Sequence, residues 1–191
     1  MTRRGLLLCG PPAAGKDTVT TALAQVDSRF ALVRKWKVGT GRTAGYRMAT
    51  ATELSALEAA GRVVVRTERY GNTYGLDRAD LEALWTAGRI PVVHAGSVAD
   101  LQAVIVVEPK AWATVLLSTD RETCQVRSKA RRDGDTEARL RAWDEAMFDL
   151  EQGRQRGLFD QEIRTDQVVL PQTVRAVTEL FRQDLPEDEA S

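Results

Sequence analysis

The chain has 191 residues, which is the length of one compact domain with room for small inserted lobes, and its 27 Lys and Arg residues balance its 27 Asp and Glu residues. This balance excludes the strong basic field that is typical of proteins that bind nucleic acid. Two cysteines are too few for a disulfide framework or a metal site, and no apolar run predicts a signal peptide or a membrane span, so we expect a cytoplasmic protein without nucleic-acid or membrane partners.

Short apolar segments alternate with helix-prone segments along the chain. The predicted strands are residues 6–9, 31–38, 63–67, 90–93, 112–117 and 167–170. The predicted helices are residues 16–25, 52–60, 78–87, 98–104, 121–131, 136–152 and 173–184. Apolar strands separated by helices are typical of a parallel sheet covered on both faces, so the fold class is predicted to be α/β with three layers. Ligands of such sheets bind beyond the carboxyl ends of the strands.

A phosphate-binding loop lies between the first predicted strand and the first predicted helix. Residues 10–18 read Gly-Pro-Pro-Ala-Ala-Gly-Lys-Asp-Thr. In such a loop the backbone N–H groups and the helix N-terminus surround phosphate oxygens, and the Lys side chain reaches the β- and γ-phosphates. The usual pattern has Ser or Thr directly after the Lys, whereas here Asp17 precedes Thr18. The predicted nucleotide-binding residues are Gly10, Ala13, Ala14, Gly15, Lys16, Asp17 and Thr18.

Two further groups of residues suggest phosphate chemistry. The first consists of the cations of segment 34–37 followed by Tyr46 and the segment 70–75, a combination that could hold an acceptor phosphate. The second is a set of arginines in segment 127–141 that could form a lid over the reacting phosphate. The alternative for both is a solvated surface, with the tyrosines packing a small sheet.

With these motifs, the chain resembles the guanylate kinase-like family of P-loop nucleoside monophosphate kinases, including its ribosyl bisphosphate phosphokinase branch. The resemblance spans residues 5–180 and rests on the segment Gly15-Lys16-Asp17-Thr18, the segment Gly-Asn-Thr-Tyr-Gly at 71–75, and the lid arginines. It implies a P-loop NTPase fold in a single domain over residues 1–185. The implied parts are a core (1–33, 90–120 and 152–185), a small acceptor-binding lobe (34–89) and a helical lid (121–151), with a disordered tail at 186–191.

The resemblance also implies an activity and the residues that carry it. The activity is ATP-dependent transfer of the γ-phosphoryl group, with Mg²⁺, to a small phosphorylated acceptor, either nucleoside monophosphate-like or a ribose phosphate. No protein metal ligand is predicted. The implied catalytic residues are Lys16, Arg127, Arg131 and Arg139. The implied acceptor-phosphate residues are Arg34, Lys37, Tyr46 and Tyr74.

The guanine-reading positions of the family do not carry over. The family's Glu, Ser and Asp fall on Val65, Leu76 and Gly96, which cannot accept the protons of guanine, so GMP is disfavoured as the acceptor. His94 ends a predicted strand at the ligand-facing edge and is predicted to contact the acceptor, with a structural role as the equal alternative. The side chains available to line a polar pocket are Trp36, Arg42, Arg66, Glu68 and Arg69.

Two other functions remain open from the sequence. One is a non-catalytic guanylate kinase-like domain that binds a partner protein. The other is a P-loop kinase that acts on the hydroxyl of an unphosphorylated nucleoside or sugar.

Overall fold

The structure is a computed structural model that describes residues 3–69, 71–130 and 136–182. The strands are β1 (Gly5–Cys9), β2 (Phe30–Leu32), β3 (Lys35–Val38), β4 (Tyr46–Met48), β5 (Val63–Arg69), β6 (Asn72–Asp77), β7 (Ile90–Ala95), β8 (Trp112–Ser118) and β9 (Gln161–Arg164). The helices are α1 (Lys16–Val26), α2 (Ala51–Ala59), α3 (Arg78–Thr86), α4 (Val98–Ile105), α5 (Arg121–Ala130), α6 (Thr136–Gln155) and α7 (Leu170–Glu179). In this part of the chain, no helix combines the length and the apolar character that crossing a bilayer requires.

A five-stranded parallel sheet in the order β2-β7-β1-β8-β9 forms the centre of the fold. Successive side chains of β1 point to opposite faces, so Leu6 and Leu8 join one buried cluster while Leu7 and Cys9 join the other. Helices α1 and α7 cover the first face, and α3, α4 and α6 cover the second. The predicted three-layer α/β fold is therefore confirmed. Because the strands are parallel, their carboxyl ends all meet at one edge.

A second sheet of four strands, in the order β4-β3-β6-β5, lies within the predicted acceptor lobe. Strand β6 pairs antiparallel with both β3 and β5, and β3 pairs parallel with β4. The single strand predicted at 31–38 is in fact two, because the chain leaves the central sheet after β2 and enters the second sheet at β3. Arg34 lies exposed at this crossing.

The last strand is at Gln161–Arg164 and not at the predicted 167–170. Its outward side chains are polar and only Ile163 is buried, which is typical of an edge strand but gives a weak apolar signal. The apolar residues Val168 and Val169 instead precede α7, where a Pro occupies the first turn of the helix. The side chains of Asp77 and Ser97 cap the N-termini of α3 and α4, because each accepts a hydrogen bond from a backbone N–H group of its helix.

The helices α5 and α6, which the sequence predicts as a lid, pack against each other and against the phosphate-binding loop. A small buried cluster joins Cys124 of α5 and Leu140 of α6 to Ala13 of the loop, with Trp143 beside it. Arg131 and the predicted tail at 186–191 lie outside the described residues. The division into core, lobe and lid stays a prediction.

Candidate active site

The phosphate-binding loop emerges at the carboxyl end of β1 and leads directly into α1. A Cβ at Gly10 would lie 2.2 Å from the carbonyl oxygen of Leu117, so only glycine lets the loop pass this close to β8. Gly15 has a φ of 88° and is the N-cap of α1. Among the described residues no side chain caps this helix, which leaves the N–H groups of its first turn open to an anion.

Lys16 bends back over the loop. Its Nζ donates hydrogen bonds to the carbonyl oxygens of Gly10 at 2.5 Å and Pro11 at 2.9 Å. Burial lowers the pKa of Lys16 to about 8, and the charges of Arg69 and Lys35 act in the same direction. A phosphate bound in the loop would bring a negative charge close to the Lys16 ammonium group and would stabilise its protonated form. The loop and Lys16 therefore fit the phosphates of a nucleotide.

A cavity of about 350 Å³ separates the loop from the second sheet. Its lining includes six cationic side chains and two carboxylates, so it is strongly basic although the whole chain is neutral. The cations are Lys16, Lys35, Lys37, Arg42, Arg69 and Arg139, and the carboxylates are Asp17 and Asp100. A cavity of this kind attracts a small anion and not an extended polyanion.

Two tyrosines and Lys37 form one wall of this cavity. The rings of Tyr46 and Tyr74 have centroids 5.2 Å apart, and Lys37 Nζ lies 5.5 Å from the first centroid and 5.9 Å from the second. Lys37 is only 2 % exposed, and its Nζ donates to the carbonyl oxygens of Thr40 at 2.5 Å and Arg42 at 2.8 Å. Burial raises the pKa of Tyr46, so its hydroxyl is a neutral donor at pH 7.

Arg34 does not join this wall, and Lys35 lies there instead. Side chains alternate along β3, so Lys35 and Lys37 share the face toward the cavity. Arg34 is exposed and is not among the described residues that line the cavity. Burial lowers the pKa of Lys35, while the charge of Asp100 opposes that shift. In the described parts of the chain, no side chain or carbonyl forms a hydrogen bond or ion pair with the Lys35 ammonium group.

The far end of the cavity contains Thr67 and Asp100, which the sequence analysis did not single out, and Arg69, which it named as a candidate for a polar pocket. Thr67 donates to Asp100 Oδ1 at 3.0 Å, and Arg69 donates to the carbonyl oxygen of Gly96 at 3.1 Å. Val65 and Leu76, onto which the guanine-reading positions fall, are buried in the hydrophobic core beneath the cavity. Side chains alternate along β5, so Thr67 and Arg69 share one face of the strand. The sequence does not show that this face is the one toward the cavity.

The other polar candidates divide between the cavity and the surface. Arg42 and Arg69 line the cavity. Arg66 and Glu68 form an exposed ion pair at 2.7 Å, and the Trp36 ring is covered by Arg47 at 4.7 Å.

His94 lies at the carboxyl end of β7 and lines the cavity, as predicted from its position. Its Nε2 lies 2.7 Å from Thr20 Oγ1, and its Nδ1 lies 3.6 Å from Asp17 Oδ1. Asp17 Oδ2 accepts a hydrogen bond from Arg42 Nη1 at 2.9 Å. A contact between His94 and an acceptor stays a prediction.

We expect His94 to remain neutral over the whole physiological range. Burial, helped by the charge of Lys16, lowers its pKa from 6.5 to about 3. The unfolded chain would protonate near pH 6.5 while the folded chain does not, so the free energy of unfolding should fall as the pH drops from 6.5 toward 3. Because the chain has one histidine, the two ¹⁵N signals of its imidazole report this pKa by NMR without overlap from other histidines. A midpoint near 6.5 would contradict the buried environment.

The two described lid arginines lie on different sides of the loop. Arg139 lines the basic cavity. Arg127 donates to the carbonyl oxygens of Ala13 at 3.0 Å and Thr165 at 2.8 Å, and it lines a second cavity of about 440 Å³ together with Thr18. Arg127 and Thr18 thus line the second cavity, on one side of α1, whereas Arg139 and Asp17 line the basic cavity on the other side.

Comparison with known proteins identifies the fold. No family model matches the sequence, and no curated protein matches it either. Among solved structures, the chain is similar to guanylate kinase from Anaplasma phagocytophilum, with 17% sequence identity, a TM-score of 0.69, and coverage of 97% of this chain and 88% of that one. It also matches shikimate kinase from Acinetobacter baumannii in complex with shikimate, with 15% identity, a TM-score of 0.48, and coverage of 96% and 95%. The chain has the guanylate kinase-like P-loop kinase fold that its sequence predicts.

Proposed function

We propose, from this fold and from the basic cavity, that the protein is an ATP-dependent kinase. It would transfer the γ-phosphoryl group of ATP to a small phosphorylated acceptor, nucleoside monophosphate-like or a ribose phosphate, other than GMP. One observation carries the proposal. A single cavity joins Lys16 of the phosphate-binding loop to the lysines and tyrosines of the second sheet, so two anions can be held opposite each other.

The donor nucleotide would be held by the loop and by the first turn of α1. The open N–H groups of that turn and the Lys16 ammonium group match the oxygens of a triphosphate. No group of three or more His, Cys, Asp or Glu residues in the described chain could hold a metal ion, so the fit of Mg²⁺ depends on oxygens that the nucleotide brings. When bound at the phosphates held by the loop and Lys16, Mg²⁺ would reduce their negative charge.

The acceptor phosphate would be bound by Lys35 and by the tyrosine wall. Lys35 lines the cavity, and the rings of Tyr46 and Tyr74, which line it too, lie close to Lys37. Lys37 also holds the loop that carries Arg42 through two carbonyl oxygens, so it fixes the shape of the wall. Cations combined with phenolic donors both neutralise and orient a phosphate.

The lid arginines would act on the charge that moves during transfer. Arg139 lines the cavity that would hold the two phosphates, while Arg127 is hydrogen-bonded to Ala13 and Thr165 beside the phosphate-binding loop. Arg131 is assigned to the same role from the resemblance alone. Positive groups fixed around the transferred phosphoryl group are the main source of catalysis in such reactions.

We expect GMP to be a poor acceptor in a coupled assay of ADP release. Guanine needs acceptors for its N1–H and 2-amino groups, and leaving these donors unpaired costs about 1–3 kcal/mol each, which lowers kcat/KM by about 5- to 150-fold per group. The panel would contain GMP, other nucleoside monophosphates, ribose 1-phosphates, ribose bisphosphates and the matching unphosphorylated nucleosides and sugars.

The same panel separates the alternatives. Turnover of GMP as the best acceptor would refute the specificity that we propose. Preference for an unphosphorylated compound would favour the alcohol kinase, and no ADP release with any compound would favour a binding domain.

A further inference from the structure

The loop between β3 and β4, residues 39–45, is hydrogen-bonded to the second sheet through two side chains. Lys37 Nζ donates to the carbonyl oxygens of Thr40 at 2.5 Å and Arg42 at 2.8 Å. Asn72 Oδ1 accepts from the backbone N–H of Thr40 at 2.7 Å. Because the buried Lys37 ammonium group would lose both of its hydrogen bonds if the loop moved away, the backbone of Arg42 is fixed relative to the tyrosine wall.

From this loop the side chain of Arg42 reaches across the cavity to α1. Its Nη1 donates to Asp17 Oδ2 at 2.9 Å, and Asp17 directly follows Lys16 and lines the same cavity. Burial raises the pKa of Tyr46, whereas the charges of Arg42 and Arg139 oppose this shift, so both guanidinium groups lie close enough to act on its hydroxyl. Arg42 therefore joins the tyrosine side of the cavity to the nucleotide side.

Folding stability does not account for this ion pair. The side chains of Arg42 and Asp17 are 55% and 47% exposed, and ion pairs of such exposure contribute little to stability. Asp17 also stands where a phosphate-binding loop usually has a Ser or Thr. A carboxylate at this position repels any phosphate in the cavity unless a cation neutralises it, and Arg42 supplies that cation. The pair is therefore placed to serve ligand binding.

We propose that Arg42 binds the acceptor phosphate, and that Asp17 is the positioning residue that holds its guanidinium group there. This inference rests on the proposed kinase function, and it assigns Asp17 to acceptor binding and not to nucleotide binding. A guanidinium group is a planar fork with five N–H donors, so it can donate to a carboxylate along one edge and to a phosphate along another. The acceptor phosphate would lie between Arg42 on one side and Lys35 with the two tyrosines on the other.

Replacing Arg42 by Ala should weaken the binding of inorganic phosphate, which serves as the probe for the acceptor phosphate. The phosphate-binding loop is first saturated with a non-hydrolysable ATP analogue and Mg²⁺, and phosphate is then titrated by calorimetry. The Kd for phosphate should rise by about 10- to 150-fold, because a hydrogen bond to a charged group is lost. The Kd for the ATP analogue should stay within about twofold of wild type, since the donor phosphates are bound by the loop and Lys16.

Arg47→Ala is the matched control for Arg42. Arg47 belongs to the same lobe and pairs with a carboxylate in the same way, at 3.2 Å from Asp80, but it lies outside the cavity lining that the structure describes. Its removal should leave the Kd for phosphate within about twofold of wild type. Equal phosphate binding by wild type and Arg42→Ala would overturn the inference. A rise in the Kd for the ATP analogue instead would make Arg42 a nucleotide contact, which also overturns it.

A double-mutant cycle tests whether Asp17 acts through Arg42. The readout is kcat/KM for the best acceptor of the panel, measured as ADP release. Asp17→Asn alone should lower it by about 2- to 10-fold, mainly through KM, because Arg42 loses the partner that orients it. In the Arg42→Ala background, Asp17→Asn should cause no further fall, because the unpaired carboxylate only repels the acceptor phosphate.

Two results of this cycle would contradict the positioning role. Equal falls in both backgrounds would show that Asp17 acts independently of Arg42. A rise of kcat/KM in Asp17→Asn alone would show that the carboxylate competes with the acceptor phosphate for Arg42.

Asp27→Asn is the control for Asp17, because it removes a carboxylate at the other end of α1, where Asp27 pairs with Arg29. It should leave kcat/KM for the acceptor unchanged. The Kd for ADP, measured with and without Mg²⁺, shows that each variant folds and binds nucleotide. Asp17→Asn should keep the wild-type dependence of this Kd on Mg²⁺, and its loss would identify Asp17 as a metal contact and overturn the inference.

The outcomes also separate this inference from the proposed function. Wild-type protein that releases no ADP with any acceptor refutes the kinase itself, whatever the variants do. Wild-type protein that binds the ATP analogue but no phosphate refutes the second anion site on which both proposals rest. An active wild type whose phosphate Kd and acceptor KM are unchanged by Arg42→Ala refutes only the role of Arg42.

Discussion

Replacing Lys16 by Ala is expected to lower kcat for phosphoryl transfer by about 10³-fold. The Lys16 side chain is the cation that bends over the loop, with its Nζ 2.5 Å from the carbonyl oxygen of Gly10. In the proposed reaction it contacts the β- and γ-phosphates and stabilises the charge that develops between them, and losing one such group typically costs about 10²- to 10³-fold in rate. The measurement is steady-state ADP release with the best acceptor.

Lys110→Ala is a suitable control, since Lys110 is an exposed lysine at the opposite end of the central sheet, before β8. A second control uses pH. The pKa of Lys16 is lowered to about 8, so the wild-type Kd for ATP should rise about fivefold from pH 8 to pH 9 as the ammonium group deprotonates. Lys16→Ala should lack this rise. A Lys16→Ala variant with wild-type kcat would place the nucleotide phosphates elsewhere.

Replacing Lys35 by Ala is expected to lower kcat/KM for the acceptor by about 10- to 150-fold, mainly through KM. Lys35 faces the cavity and makes no hydrogen bond within the described residues, so its ammonium group is available to a phosphate. A hydrogen bond to a charged group contributes about 1.5–3 kcal/mol, which corresponds to this range. The KM for ATP should change little, because the loop and Lys16 are intact.

Arg34→Ala is the matched control for Lys35. It removes a cation from the neighbouring residue, but Arg34 is exposed and lies outside the cavity lining. Its acceptor KM should therefore remain within about twofold of wild type, as expected for a surface charge. If instead Arg34→Ala raised the acceptor KM and Lys35→Ala did not, Arg34 would bind the acceptor as the sequence predicts. The claim that Lys35 points from β3 toward the acceptor would then be wrong.

The case of Arg34 shows how far the sequence could predict the site. The resemblance implied that Arg34 and Lys37 bind the acceptor phosphate. Whether each side chain points toward the cavity depends on where the chain crosses from the central sheet to the second sheet. The sequence 31–38 has no Gly or Pro that would mark this crossing. The break between β2 and β3 follows from pairing with β7 and β6, which are distant in the chain.

The phosphate-binding loop was predictable because its chemistry is local. Gly10, Gly15 and Lys16 are required by backbone geometry and charge within seven residues, and the strand and the helix around them have clear patterns. The contact of His94 with Thr20 joins residues 74 positions apart, and no local pattern indicates it. The last strand was misplaced since Val168 and Val169 are more apolar than the edge strand Gln161–Arg164.

The central claim is that the cavity holds two anions opposite each other, one in the loop and one against the second sheet. The most direct measurement is a crystal structure of the protein with a non-hydrolysable ATP analogue, Mg²⁺ and inorganic phosphate. We predict triphosphate density in the loop with Lys16 on its β- and γ-groups, and separate phosphate density between Lys35 and the hydroxyls of Tyr46 and Tyr74. Triphosphate bound outside the loop, or a tyrosine wall without phosphate while the loop is occupied, would contradict the claim.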